Sequence, residues 1–132
     1  MRLAALLVAL AAPAEAQEPD CAKAVTQAAL NLCALRDFEA ADAELNRAYA
    51  GAVDLAGIAD ADGGRDLARR LRDAQRAWIA FRDAACDAEA AVVEGGSMQP
   101  MVGNACLARL SWARADDLYA FSDSLGLGTP TP

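Results

Sequence analysis

Histidine is absent from this 132-residue chain, and its absence removes several kinds of active site at once. A Ser-His-Asp triad, a Cys-His dyad and the common zinc sites all need an imidazole as base or ligand. Glycine-rich phosphate loops follow a strand, and the sequence lacks the alternating pattern of strands. We therefore predict that the chain is not an enzyme and has no catalytic residues, no metal site and no cofactor.

Carboxylates are the remaining groups with catalytic or ligand chemistry. A glycosidase-type acid/base pair needs two of them across a cleft. The sequence predicts only three small helices, which offer little room for a cleft. Four aspartates surround the first predicted turn, but they lack the regular ligand spacing of a calcium loop; they are Asp54, Asp60, Asp62 and Asp66. A solvated acidic turn is the preferred interpretation.

Four cysteines, Cys21, Cys33, Cys86 and Cys106, make an even number in a small chain that is predicted to be exported, and this predicts two disulfides. None of them forms a CxxC pair, so thiol redox catalysis lacks its usual motif. The predicted turns place Cys33 opposite Cys86 and also Cys86 opposite Cys106, so position alone does not decide the pairing. We prefer Cys21 with Cys33 and Cys86 with Cys106, because Cys21 precedes the first helix and can fold back along it. The main alternative is Cys33–Cys86 with Cys21–Cys106.

Seven polar or amphipathic residues lie on otherwise inward helix faces. They are Asp42, Asn46 and Tyr49 on the first predicted helix, Gln75, Trp78 and Arg82 on the second, and Arg114 on the third. Arginine can donate to carboxylates across the bundle, with Asp37 or Asp42 as acceptor. Two hypotheses follow: a satisfied network that fixes the register of the helices, which is preferred, or a binding patch.

The N-terminus has the organisation of a secretory signal peptide. Arg2 precedes the apolar run 3–12, and Ala14-Glu15-Ala16 supplies a small-residue cleavage site. Cleavage after Ala16 therefore predicts a periplasmic or secreted protein. The apolar run is too short to span a bilayer and no later stretch is longer, so no membrane span is predicted.

Three helices account for most of the remaining sequence, which is rich in Ala, Leu, Arg, Asp and Glu. The first runs from its cap Thr26 to about Ala56, with a break considered at Arg36-Asp37 and a stop at Gly57. The second covers about 65–93 and the third about 101–121, with Ser97 as the cap between them. Their apolar faces contain Leu30, Cys33, Phe38, Ala41, Leu45, Tyr49, Ala52 and Leu55, then Leu67, Leu71, Ala74, Trp78, Phe81 and Ala85, then Cys106, Leu107, Leu110, Ala113, Leu118 and Phe121.

Short turns between these segments make consecutive helices antiparallel neighbours. The predicted fold is an all-α, three-helix antiparallel hairpin bundle stapled by two disulfides. We expect a single helical domain over residues 17–122 and a disordered C-terminal tail over residues 123–132.

The net charge of −7 indicates which classes of molecule the chain can bind, and it does not determine the fold. It is unchanged by loss of residues 1–16, because Arg2 and Glu15 cancel. Nucleic acid would repel such a chain, whereas a basic protein would attract it.

The order of these residues resembles the lysozyme inhibitor LprI-like N-terminal domain family over about 21–121. The matching elements are Cys21, Thr26-Gln27, Cys33-Ala34, Ala41-Asp42, Leu45-Asn46, Tyr49, Gln75-Arg76-Ala77-Trp78, Phe81-Arg82-Asp83, Cys86, Gly96-Ser97-Met98, Cys106-Leu107 and Arg114. The resemblance implies an exported helical protein. Its name-giving member is a lipoprotein that inhibits lysozyme, whereas Glu18-Pro19-Asp20 ahead of Cys21 does not suit lipid attachment.

The resemblance implies a cell-envelope binding protein that inhibits a lysozyme-type muramidase by occluding its cleft. Gly96, Ser97 and Met98 form the candidate recognition loop, within the interhelical segment 95–100, since loops on rigid scaffolds carry much recognition. An ordinary interhelical turn is the simpler interpretation of that segment. The alternative function is a non-enzymatic structural or assembly accessory that binds another envelope protein through the side of Trp112 and Tyr119.

Overall fold

The computed structural model describes residues 18–61 and 63–126, and the regular secondary structure in those ranges is all helical. A short 3-10 helix, Cys21–Lys23, leads into α1 (Gln27–Ala61), α2 (Leu67–Ala91) and α3 (Gln99–Ser124). The predicted all-α class and the three-helix bundle are confirmed. The predicted signal peptide, residues 1–16, and residues 127–132 of the predicted tail lie outside the described residues.

The helices run up, down and up, so that α1 and α3 are parallel and α2 is antiparallel to both. Two hydrogen bonds fix the register of the parallel pair, Trp112 to Asp37 and Tyr119 to Glu44, each with a sequence separation of 75. The α1–α3 pair is the most extensive of the three. Small buried residues allow the two backbones to approach closely: Ala41, Ala48 and Ala52 from α1, and Ala108, Ser111 and Ala115 from α3.

Both disulfides lie at the same end of the bundle. Cys21–Cys33, with Cα atoms 5.6 Å apart, ties the 3-10 helix to the start of α1. Cys86–Cys106, with Cα atoms 5.4 Å apart, joins the last turns of α2 to the first turns of α3. These pairs are the ones preferred from the sequence. We call the two disulfides, together with the turn 92–98 between α2 and α3, the stapled end.

The first helix is longer and more regular than predicted. It continues without a break through Arg36-Asp37 and extends past Gly57 to Ala61. Thr26 caps it as predicted, because its Oγ1 accepts from the N–H of Ala29 at 3.2 Å. The predicted break was wrong because the Asp37 carboxylate accepts from Trp112 rather than capping a second helix.

The buried face of α2 is rotated relative to the predicted apolar seam. Phe81 is 60% exposed and Ala74 is also exposed, whereas Gln75 and Arg82 are buried. On α3, Ala113 is exposed in the same way, and Ser111 and Ser122 are buried. Residues of α1 and α3 form hydrogen bonds with the buried Arg82 and Gln75 of α2. This face of α2 can therefore be buried without leaving these polar groups unsatisfied.

The boundaries of α3 also differ from those predicted. Met98 rather than Ser97 is the N-cap residue, with Pro100 in the first turn, where its missing N–H costs nothing. The helix continues to Ser124, two residues into the segment predicted to be a disordered tail.

Asp60 holds the opposite end of the bundle together. Its carboxylate, in the last turn of α1, accepts from the N–H groups of Leu67 (2.8 Å) and Ala68 (3.0 Å) at the start of α2. These bonds lower the pKa of Asp60 from its ordinary value of 3.8. The carboxylate thus replaces the cap that Asp66, whose φ is 63°, does not provide.

We expect Asp60→Ala to lower the Tm at neutral pH by several degrees, because two N–H groups at the start of α2 lose their acceptor. Since the folded state lowers this pKa, the stabilisation is complete above the ordinary value and is lost as pH falls through the folded pKa. The Tm difference between wild type and variant should therefore shrink below about pH 4. Circular dichroism melts of wild type and variant, at neutral pH and below about pH 4, measure this Tm difference. Asp54→Ala, which removes an exposed carboxylate from the same helix, is the control and should leave the Tm unchanged.

Candidate functional site

The polar residues predicted to meet across the bundle converge on Arg82. This side chain is 10% exposed, and its Nη1 donates to Asp42 Oδ1 (3.1 Å) and to Ser111 Oγ (3.2 Å). Its Nε donates to Asp83 Oδ1 at 2.9 Å. One guanidinium therefore links all three helices, and each of its bonds is directional.

Aromatic rings complete the surroundings of this guanidinium. The Cζ atom of Arg82 lies 5.5 Å from the ring centroid of Phe38 and 5.4 Å from that of Trp78, within the range of cation–π attraction. Arg114 approaches the Trp78 ring to 5.8 Å and donates from Nε to Gln75 Oε1 at 3.1 Å. Trp78 thus contacts both arginines.

The remaining two residues of the predicted cluster lie at its edge. Asn46 donates to Asp42 Oδ2 at 3.1 Å, and Tyr49 packs against the apolar core. Ser111 is a member that was not predicted. It interrupts a row of buried apolar residues on α3 at helical spacing, Ala108, Ala115 and Leu118, and a hydroxyl in such a row is the signal that would have found it.

The chemistry of this cluster is that of a fixed network. The donors and acceptors bond to one another, and most of the Arg82 side chain is out of contact with solvent. In the described part of the chain, no group of three or more Cys, Asp or Glu side chains is placed to hold a metal ion. The arrangement favours the hypothesis of a network that fixes helix register.

The turn between α2 and α3 contains the candidate recognition residues Gly96, Ser97 and Met98. Asn31 Nδ2 on α1 donates to the Ser97 carbonyl at 3.0 Å, and the N–H of Gly95 donates to Gln99 Oε1 at 3.0 Å. Gly95 has a φ of 75°, which favours glycine. A Cβ on Gly96 would lie 3.1 Å from the Val93 carbonyl oxygen. The turn is therefore held in one conformation.

Two apolar side chains project from this turn. Val92 is 85% exposed and Met98 is 44% exposed. The Cys86–Cys106 disulfide joins the two helices that this turn connects, so the exposed apolar groups belong to a covalently braced segment. Such a surface loses little conformational entropy when it binds a protein.

A second exposed surface runs along the seam of α1 and α3. Trp112 and Tyr119 are 39% and 41% exposed. Trp112 Nε1 donates to Asp37 Oδ1 at 3.0 Å, and the Tyr119 hydroxyl donates to Glu44 Oε1 at 2.5 Å. The hydrogen bond to Glu44 raises the pKa of the Tyr119 phenol, and desolvation raises it further by a smaller amount. Both rings are thus fixed against α1 by their polar tips.

None of the helices in the described ranges has an apolar stretch long enough to cross a bilayer.

Comparison with known proteins gives a family and a relative. The model of the family described as lysozyme inhibitor LprI matches residues 20–118. An uncharacterized protein of Rhizobium meliloti (strain 1021) is 44% identical over 127 residues, covering 90% of this chain and 91% of the relative. No solved structure matches the chain.

Proposed function

This chain belongs to the lysozyme inhibitor LprI family, and from that premise we propose that it is an exported cell-envelope protein that inhibits a lysozyme-type muramidase by occluding its cleft. The family match is the observation that carries this proposal. It concerns a family of inhibitors rather than of catalysts, so the proposed role is binding. Export by cleavage after Ala16 and a periplasmic or secreted location are part of the same proposal, supported by the two disulfides.

The stapled end is the proposed contact surface. It presents Val92 and Met98 as apolar anchors, and a braced turn can bind a substrate cleft without reorganising. The net charge of −7 would speed the approach of a basic muramidase, because complementary charge steers encounter. The Arg82 cluster supports this surface only indirectly, by fixing the helices that carry it.

We expect Met98→Arg to raise the protein concentration needed to halve the lysis rate of a peptidoglycan suspension by at least about tenfold. The substitution removes an apolar anchor and adds a positive charge opposite a basic enzyme. The readout is the turbidity of the suspension over time, with the muramidase fixed and the inhibitor titrated.

Ile58→Arg is the matched control, because Ile58 is an exposed apolar residue near the other end of α1. It changes the net charge equally and should alter the half-inhibitory concentration by less than about twofold. Equal losses in the two variants would contradict the proposed surface and would indicate an effect of overall charge.

The alternative role is a structural or assembly accessory that binds another envelope protein. The fixed, exposed rings of Trp112 and Tyr119 favour it. No slowing of lysis by wild-type protein at stoichiometric excess would contradict the inhibitor. A pulldown from envelope extract tests the accessory role: loss of the partner in the Trp112→Ala variant would support it, and unchanged recovery would count against this face.

A further inference from the structure

An apolar groove lies between α2 and α3, at the end of the bundle opposite the stapled end. Its volume is about 390 Å³, within the range of sites for small ligands. Its walls are the apolar side chains of Leu67, Leu71, Ala74, Leu118 and Phe121. We call it the Phe121 groove. It lies apart from the proposed contact surface at the stapled end.

Two arginines, Arg70 and Arg114, line this groove. Between residues 18 and 126, leaving out 62, no carboxylate oxygen lies within 4 Å of a side-chain nitrogen of either arginine, although Asp117 also lines the groove. By contrast, Arg69 and Arg76 on the same helix both pair with Asp73. In a chain with seven excess negative charges, two guanidinium groups that pair with no carboxylate of the described residues outweigh the single carboxylate of Asp117 at this groove, so the groove is locally positive.

Arg114 is oriented before any ligand arrives. Its Nε donates to Gln75 Oε1 at 3.1 Å, and its Cζ lies 5.8 Å from the centroid of the Trp78 ring. Guanidinium carries five N–H donors, so the two terminal nitrogens remain able to bind an anion. A group already held in place loses less entropy on binding.

A second groove on the same helix pair provides an internal comparison. It has a volume of about 270 Å³, and Asp83 and Asp87 line it together with apolar residues and no basic residue. The two grooves therefore differ in the sign of their charge. Of these two grooves, the Phe121 groove is the one suited to an anionic head group.

We propose that the Phe121 groove binds a single-chain amphiphile with an apolar tail and a carboxylate head. The tail would replace water along the five apolar side chains. The head would accept hydrogen bonds from Arg114 and Arg70, which match a carboxylate in charge and geometry. This binding does not depend on inhibition of a muramidase.

Calorimetric titration of the oxidised full chain with dodecanoate, below the concentration at which it forms micelles, tests the proposal. We expect saturable binding of one molecule per chain and at least about tenfold weaker binding of dodecyltrimethylammonium, which has the same tail and the opposite charge. Arg70→Gln and Arg114→Gln should each weaken dodecanoate binding by about two- to fivefold.

Two further variants make the test specific to the groove. Arg72→Gln, an exposed arginine of α2 that does not line the groove, should leave the affinity for dodecanoate unchanged. Ala74→Trp should abolish binding, because the indole fills the groove from an exposed position. Ala84→Trp, at an exposed position of α2 that does not line the Phe121 groove, should bind dodecanoate as the wild type does.

Several results would overturn the proposal. Equal affinity for the two head groups would refute the role of the arginines, and so would an equal loss in Arg70→Gln and Arg72→Gln. Binding that survives Ala74→Trp would place the ligand elsewhere. A dimer in sedimentation experiments that Ala74→Trp dissociates, without dodecanoate binding, would make a second copy of the chain the occupant.

Discussion

Replacement of both Cys86 and Cys106 by alanine is expected to lower the free energy of unfolding by about 3 to 5 kcal/mol. This disulfide joins α2 to α3 across a sequence separation of 20. Its loss opens this long loop in the unfolded chain and raises the conformational entropy of the unfolded state. Both cysteines are almost fully buried, and their removal also takes sulfur atoms out of the helix interface. Denaturation by guanidinium chloride, monitored by circular dichroism at 222 nm, a wavelength sensitive to helix, measures the change.

The second disulfide provides the matched control. Cys21–Cys33 ties only the segment before α1 to that helix, and Cys21 is exposed. Its removal should cost less in the unfolding of the bundle and should instead release residues 18–26 to proteolysis. A loss below about 1 kcal/mol for the Cys86, Cys106 double variant would contradict the view that this disulfide is a main source of stability.

Replacement of Arg82 by alanine should destabilise the bundle by about 2 to 4 kcal/mol. The change removes donors to Asp42 and Ser111 on two different helices, together with two cation–π contacts. We place the effect below the upper end of the range for buried ion pairs, because Asp42 and Asp83 are partly exposed and solvent can screen them. The same denaturation experiment applies.

Two variants separate the charge of Arg82 from its packing. Arg82→Met keeps an unbranched chain of similar length against Trp78 and should recover part of the loss. Arg76→Ala removes an exposed arginine that pairs with Asp73 and should change the stability by less than about 0.5 kcal/mol. Equal effects of Arg82→Ala and Arg76→Ala would contradict the central role of Arg82.

The number of helices and the general location of the turns follow from the sequence, because both depend on local chemistry. Glycine pairs and polar runs interrupt a pattern of apolar residues with helical spacing. Disulfide formation follows from four cysteines in a chain that is predicted to be exported. The choice between the two pairings depended on the position of Cys21 before α1, and the structure has the preferred pairs.

The rotation of α2 could not be predicted from apolar periodicity, because that pattern treats every polar residue as outward-facing. Arg82 is buried since three acceptors on different elements and two rings surround it, and only the folded chain brings them together. Phe81 consequently lies outside. The structure places Asp42 against Arg82 and Gln75 against Arg114, and the apolar pattern had put each of the four on an inward face of its own helix.

Binding through the stapled end is the central claim, and hydrogen–deuterium exchange of the oxidised protein with and without a basic muramidase tests it most directly. The expected result is slower exchange confined to peptides covering 92–102 and the adjoining start of α1, whose Asn31 bonds to Ser97. Slower exchange along the face of Trp112 and Tyr119 instead, or no change at saturating muramidase, would contradict it.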